Sequence, residues 1–385
     1  MVAVGRKLLA AFVLLVVFAT LGRAAAARSG FAPTPTGPVY GRVPGALPPH
    51  FAYQYDSTYR GWPIAPTQVQ HPVRGAFLDP RGLDDTGLSG YHFGIDVSVD
   101  DRHPESGAPA GLSHRVYAVE SGRVSEPPKD TTRPCADRRI QVGHFAYWHV
   151  SPVVAARGYV KAGEQIGWSC LGVWHVHISE WQRYRGRQVW VNPLHRGGRI
   201  APYVDTAAPV VNALVFVTPP RRPWLPTTSL AQPDTSTPLS PRRLHGLVEL
   251  RANIGDPQSF LGFLADKPAW PTVFTPYRVS VTIRARHTGK TVMKLTSFQA
   301  DQMPQTPYIV HYAPGTIEDD NMQECVGPPA KPKCAGTYWF RPFSQFKHEY
   351  WDTRKAPNGL YDVTVRADDL AGNTVTKSVT VSVRN

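Results

Sequence analysis

Apolar and polar residues alternate along this chain in short runs set off by Gly, Pro and Asp, and hardly any stretch repeats at helical spacing. Between about residues 64 and 199 the runs are YHFGIDVSV, HRVYAVESGRVSE, RRIQVGHFAYWHV, GYVKAGEQIGW and VWHVHISEW. They predict an antiparallel β domain. A second set starts near Asp205 with DTAAPVVNALVFV and continues through RVSVTIRAR, YDVTVRA and TVTKSVTVSV. The expected fold class is all-β in two parts, 64–202 and 203–385. The ending, NGLYDVTVRADDLAGNTVTKSVTVSVRN, alternates on both sides of an Ala-Gly-Asn turn and reads as a hairpin. The Pro/Ser/Thr-rich stretch near 219–243 has no period and reads as an insertion that loops out. Residues 27–63 are rich in Pro, Gly and Tyr and predict an extended arm.

The first 26 residues change the picture from fold to location. Arg6 and Lys7, an apolar run from Leu8 to Leu21, and Ala24-Ala25-Ala26 have the layout of a secretory signal peptide. The mature protein is expected to be secreted or associated with the cell wall. No later run is long enough to span a membrane, although an uncleaved signal would act as a single anchor. The formal charge of +13 falls by three when Arg6, Lys7 and Arg23 are removed, so the exported chain stays basic. No nucleic-acid motif accompanies that charge; anionic cell-wall polymers or lipid headgroups are the nearer polyanions, and a merely solvated basic surface is the simpler alternative. Cys135, Cys170, Cys325 and Cys334 lack the CxxC spacing of a zinc knuckle or redox site. Proximity within each part favours disulfides joining Cys135 to Cys170 and Cys325 to Cys334.

Candidate chemistry sits on three strands. In HVHISEW, His175 and His177 share one face while Trp174, Val176 and Ile178 share the other. In HFGIDVSV, the polar face carries His92 and Asp96, and they reach one centre only if the chain curls near Gly94. In FAYWHV, alternation puts Phe145, Tyr147 and His149 on one face. Each taken singly is explained by a solvated strand face. Together, histidines and a carboxylate with an open position for water are the donor set of a catalytic zinc. There is no HExxH, which excludes the helical zincin arrangement. His71, His103, His114 and His195 are not assigned to the metal, His144 reads as a packing or hydrogen-bonding residue, and Glu180 as a solvated strand end or a support behind the ligands.

The order HxxxD (His92, Asp96), YxH (Tyr147, His149) and HxH (His175, His177) resembles the lysostaphin-like or LytM-like zinc endopeptidases, the M23 peptidase family. HPVRGAFLDPRG, VYAVESGRV, VKAGEQIGW and VWVNPL resemble that family's connecting segments, and the likeness spans roughly residues 64–198. It implies that His92, Asp96 and His177 ligate Zn2+, that His149 and His175 act on the water and the substrate carbonyl, and that the substrate is a peptide bond of peptidoglycan stems or cross-bridges. The final hairpin resembles the last strands of bacterial immunoglobulin-like domains, which implies a β-sandwich for the second part. The sequence departs from the family in a short hairpin between Ile140 and His149 and in a reduced loop, WSCLGVW, before HxH. Two rival readings remain: a non-catalytic wall-binding or hydrolase-activating protein that keeps the peptidase fold, and an adhesion or carbohydrate-binding module centred on the second part.

Overall fold

The computed structural model describes residues 43–81, 90–125, 133–155, 157–184, 186–222, 234–266, 272–304, 306–316, 336–344 and 350–385, with the backbone of 325–326 and 333–334. The expected signal peptide, the start of the arm and the centre of the 219–243 insertion lie outside the described residues. The short alternating runs form strands throughout, and the described helical segments are single 3-10 turns such as Cys135–Asp137. The fold is all-β.

In the first part the strands are β1 (Val73–Gly75), β2 (Ile95–Ser98), β3 (Leu112–Tyr117), β4 (Gly122–Arg123), β5 (Arg139–Val142), β6 (Phe145–Trp148), β7 (Val150–Pro152), β8 (Tyr159–Val160), β9 (Gln165–Cys170), β10 (His175–Tyr184) and β11 (Arg187–Val191). The main antiparallel sheet runs β1-β2-β10-β6-β5, with β11 returning on the far half of β10. A smaller sheet, β3-β9-β7, and the β4-β8 ladder complete this part. Alternation fixes which face is which. Ile95 and Val97, Val176 and Ile178, Phe145 and Tyr147, and Ile140 and Val142 all turn into the core and are fully buried.

The second part pairs Arg278–Ala285 with Thr291–Gln299 on one side and Gly359–Asp368 on the other, and Thr374–Val383 closes that sheet. A second sheet is built around Val210–Val217 and Leu247–Pro257. The closing hairpin is paired along its whole length, from Gly359 opposite Val383 to Asp368 opposite Thr374. Val279, Val281, Ile283, Val363 and Val365 from one sheet, and Leu250, Ala252 and Ile254 from the other, are buried.

The two parts touch along a backbone seam. Asn192 N donates to Asp301 O at 3.0 Å and Met303 N to Trp190 O at 3.0 Å, while the Gln258 side chain bonds both backbone groups of Val73. The arm crosses both. Gly45 O accepts from Asp301 N and Gln302 N, and further along Gln54 exchanges hydrogen bonds with the Gln182 amide. Trp62, at its end, is fully buried. Cys135 and Cys170 are joined, with Cα atoms 5.6 Å apart. Cys325 lies opposite Cys334 in a short ladder, and their side chains are outside the described residues.

Candidate metal centre

The site is a row across the main sheet. Gly75 pairs with Asp96, Asp96 with His177, His177 with Trp148, and Trp148 with Arg139. Cross-strand partners share a face, so this row lies on the side opposite the buried Val97, Val176 and Ile178. His92 enters from the segment before β2. On a flat strand residues i and i+4 lie about 13 Å apart, but regular pairing here begins only at Ile95, and His92 Nε2 comes within 3.1 Å of Asp96 Oδ1. Gly94 lets this segment lie close against β10: a Cβ there would lie 2.4 Å from Ile178 O and 2.7 Å from His177 Nε2.

Three donor atoms converge. His177 Nδ1 is 3.0 Å from Asp96 Oδ1 and 2.8 Å from His92 Nε2. In a tetrahedral zinc shell, donors ~2.0–2.1 Å from the ion stand ~3.3 Å apart, so the triangle is close to one face of that shell. Hydrogen bonds set the tautomers. His92 Nδ1–H donates to Ala76 O at 2.8 Å, which leaves Nε2 with its lone pair. His177 Nε2 sits 2.7 Å from Ser179 Oγ, and donation to that hydroxyl turns the Nδ1 lone pair to the same point. Arg81 Nη2 holds Asp96 Oδ2 at 3.0 Å, so the carboxylate presents its other oxygen to the centre. The donor set of two imidazoles and one carboxylate, with both nitrogens able to offer lone pairs, fits zinc.

Burial governs the charges. It pushes His92 down to about 4 against the pull of Asp96, so the imidazole is neutral near pH 7. Burial alone would raise Asp96, but the imidazoles of His92 and His175 around it hold it well below the usual carboxylate range. His175 and His149 are likewise lowered, chiefly by burial.

His149 and His175 stand beside the triangle with ring centroids 4.6 Å apart, and His175 Nε2 is 3.6 Å from Asp96 Oδ1. Each commits Nδ1–H to a backbone carbonyl, His175 to Val173 O at 2.8 Å and His149 to Ala136 O. Both Nε2 atoms are thereby left as acceptors. Simple alternation misplaces His149. Phe145 and Tyr147 are buried in the core, and His149 leaves their face because its φ is 62° and Arg138 O accepts from both His149 N and Val150 N, a bulge between β6 and β7. Trp174 also leaves its expected apolar face: its φ is 66° and β10 starts after it.

Glu180 is neither a solvated strand end nor a support for the ligands. It is 0% exposed within β10 and accepts from Tyr55 Oη at 2.7 Å and Gln182 Nε2 at 2.9 Å. His195 joins the same network through Tyr55 Oη at 2.6 Å, and His144 pairs with the buried Glu120. Among the described residues one other group of acids converges: Asp205, Asp256 and Asp369, with one oxygen from each all within 4.8 Å of one another. Asp256 is pushed up to about 9, first by burial and then by Asp369 and Asp205, and its Oδ1 is buried without a hydrogen-bond partner. It carries a proton at neutral pH.

Arg81, Ser179 and Ala76 were not singled out from the sequence. Ser179 was legible, since it continues the His175-His177 parity; Arg81 and the Ala76 carbonyl come from a loop that pattern does not reach. No helix among the described residues is long and apolar enough to cross a membrane. Comparison of the chain with protein-family profiles, with curated proteins and with solved structures finds no match.

Proposed function

We propose that the chain is a secreted or wall-associated zinc endopeptidase of the lysostaphin-like or LytM-like kind, cutting peptide bonds in peptidoglycan stems or cross-bridges, with a C-terminal immunoglobulin-like domain. One observation carries this reading: three ligand atoms converge within 3.1 Å of one another while two further imidazoles stand beside them with their Nδ1 positions already committed.

His92 Nε2, Asp96 Oδ1 and His177 Nδ1 would hold the zinc. When bound, the ion polarises the scissile carbonyl and lowers the pKa of a water to about 7. The remaining work falls to this chain's own side chains. With their Nδ1–H groups committed to backbone carbonyls, His175 and His149 each present an Nε2 lone pair that can accept a proton. His175, the nearer to Asp96, takes the proton of the attacking water and returns it to the amine nitrogen as the C–N bond breaks. His149 orients the water and the carbonyl from the other side. Ala76 O, Val173 O and Ala136 O hold three of the imidazoles in one tautomer, so no reorientation is needed during the reaction.

The test is incubation of purified, zinc-loaded protein with wall fragments of defined cross-link chemistry, followed by mass analysis. Cleavage at one bond type, abolished by a chelator and restored by zinc, is expected. Zinc binding with every fragment left intact would favour the wall-binding or activator reading.

A further inference from the structure

An acid outside the HxH motif holds the turn that leads into it. Gly172 N and Trp174 N both donate to Asp101 Oδ2 at 2.8 Å. Trp174 sits at φ 66°, a left-handed conformation that costs a bulky side chain of order 1–3 kcal/mol and persists only where the surroundings enforce it. Two N–H groups on one carboxylate oxygen are that enforcement, and Val99 N adds a bond of 2.9 Å to Trp174 O. Between the two clamped amides lies Val173. Its carbonyl accepts from His175 Nδ1 at 2.8 Å and from Arg74 Nη1 at 3.2 Å. Asp101 is only 8% exposed, and its other oxygen is buried with no hydrogen-bond partner. A buried carboxylate with one oxygen unbonded is costly, and what that cost secures is the turn.

We propose that Asp101 is a positioning residue for His175: its carboxylate fixes the Gly172–Trp174 turn so that Val173 O captures the Nδ1–H of His175 and leaves Nε2 as the base. Without the clamp the Trp174 backbone relaxes, the Val173 carbonyl swings away and the imidazole loses the acceptor that selects its tautomer. This inference rests on the endopeptidase reading for the consequence in turnover, but not for the tautomer. It requires no change in the zinc ligands, since His92, Asp96 and His177 make no hydrogen bond to the turn.

The experiment compares native full-length protein with Asp101→Ala and Asp101→Asn, all zinc-loaded. Nitrogen shifts of 15N-histidine-labelled protein, assigned with His175→Gln, report the His175 tautomer. Turnover of a cleavable wall peptide and zinc content are measured alongside. Asp101→Ala is expected to lose the Nδ1–H signature and about 10- to 100-fold in kcat, the scale of a small misplacement of a catalytic group, with KM and zinc nearly unchanged. Asn offers one oxygen in the same place, so Asp101→Asn should restore both readouts to near native. If Asp101→Ala is insoluble, adding Trp174→Gly, which accepts positive φ without help, should recover the fold and the tautomer. A native tautomer and native kcat in Asp101→Ala, an Asn variant as impaired as Ala, or a soluble double variant lacking the Nδ1–H form would each overturn the proposal. Should native protein cleave no wall peptide, the tautomer alone decides the role of Asp101, and the failure belongs to the peptidase reading.

Discussion

His92 Nε2 and His177 Nδ1 face each other at 2.8 Å from segments 85 residues apart. His92 has no proton to offer there, because its Nδ1–H is committed to Ala76 O. Asp96 Oδ1 closes the ring at 3.1 and 3.0 Å. With His177 donating its Nε2–H to Ser179 Oγ, all three atoms are acceptors, and a divalent ion among them would satisfy all three at once.

The first prediction is therefore about one zinc per chain after purification without chelator. His92→Ala and Asp96→Ala should each reduce it severalfold or more. Zinc at a thousand times its Kd should stabilise the native protein by about 4 kcal/mol, seen as a higher melting temperature that chelator reverses. Undiminished zinc in a His92→Ala, Asp96→Ala double variant would place the ion elsewhere.

His149→Ala and His175→Ala should keep the zinc and lose about 100-fold or more in turnover, the usual scale for general acid–base groups. His177→Ala should lose both. The split between metal content and kcat is the measurement, and near-native turnover in both His149→Ala and His175→Ala would remove them from the mechanism.

How much of this was written in the chain differs from element to element. Alternation in YHFGIDVSV and VWHVHISEW was enough to pick the face carrying Asp96, His175 and His177, because side-chain parity on a strand is local. The curl that brings His92 to Asp96 was legible through Gly94. His149 was read onto the wrong face, since the bulge that turns it depends on Arg138 O from the neighbouring strand, a pairing no local pattern encodes. Glu180 was misread for a similar reason: its partner Tyr55 lies in the arm, 125 residues away. The seam between the two parts and the course of the arm across them were likewise invisible, being set by backbone contacts between remote segments.

The acid cluster in the second part predicts a pH effect separate from the metal centre. Asp256 is raised from the ordinary carboxylate value of 3.8 to about 9 by burial and by Asp369 and Asp205, so between these values the folded chain holds a proton that the unfolded chain releases. The stabilisation is full below about 3.8 and is lost as pH rises through about 9. Asp256→Asn keeps the shape of the protonated acid without the titration. Its melting temperature should exceed the native value at pH 8 by several degrees and match it near pH 4. Parallel curves for the two proteins across that range would remove Asp256 as the source.

The Cys135–Cys170 bridge predicts a loss of activity that precedes any loss of zinc. Cys135 opens the 3-10 turn Cys135–Asp137, whose Ala136 carbonyl receives the His149 ring proton, and Cys170 N donates to His149 O at 2.9 Å. The disulfide thus ties together two backbone segments that orient His149, while none of His92, Asp96 and His177 bonds to either cysteine. Closing a loop of 35 residues contributes about 3–4 kcal/mol through the unfolded chain. A Cys135→Ser, Cys170→Ser variant should melt several degrees lower, retain about one zinc and lose tenfold or more in kcat as Ala136 O drifts from the His149 ring. Peptide mapping without reductant should recover the pair from native protein. Full turnover in the serine variant would show that β6 and β7 hold His149 without the bridge.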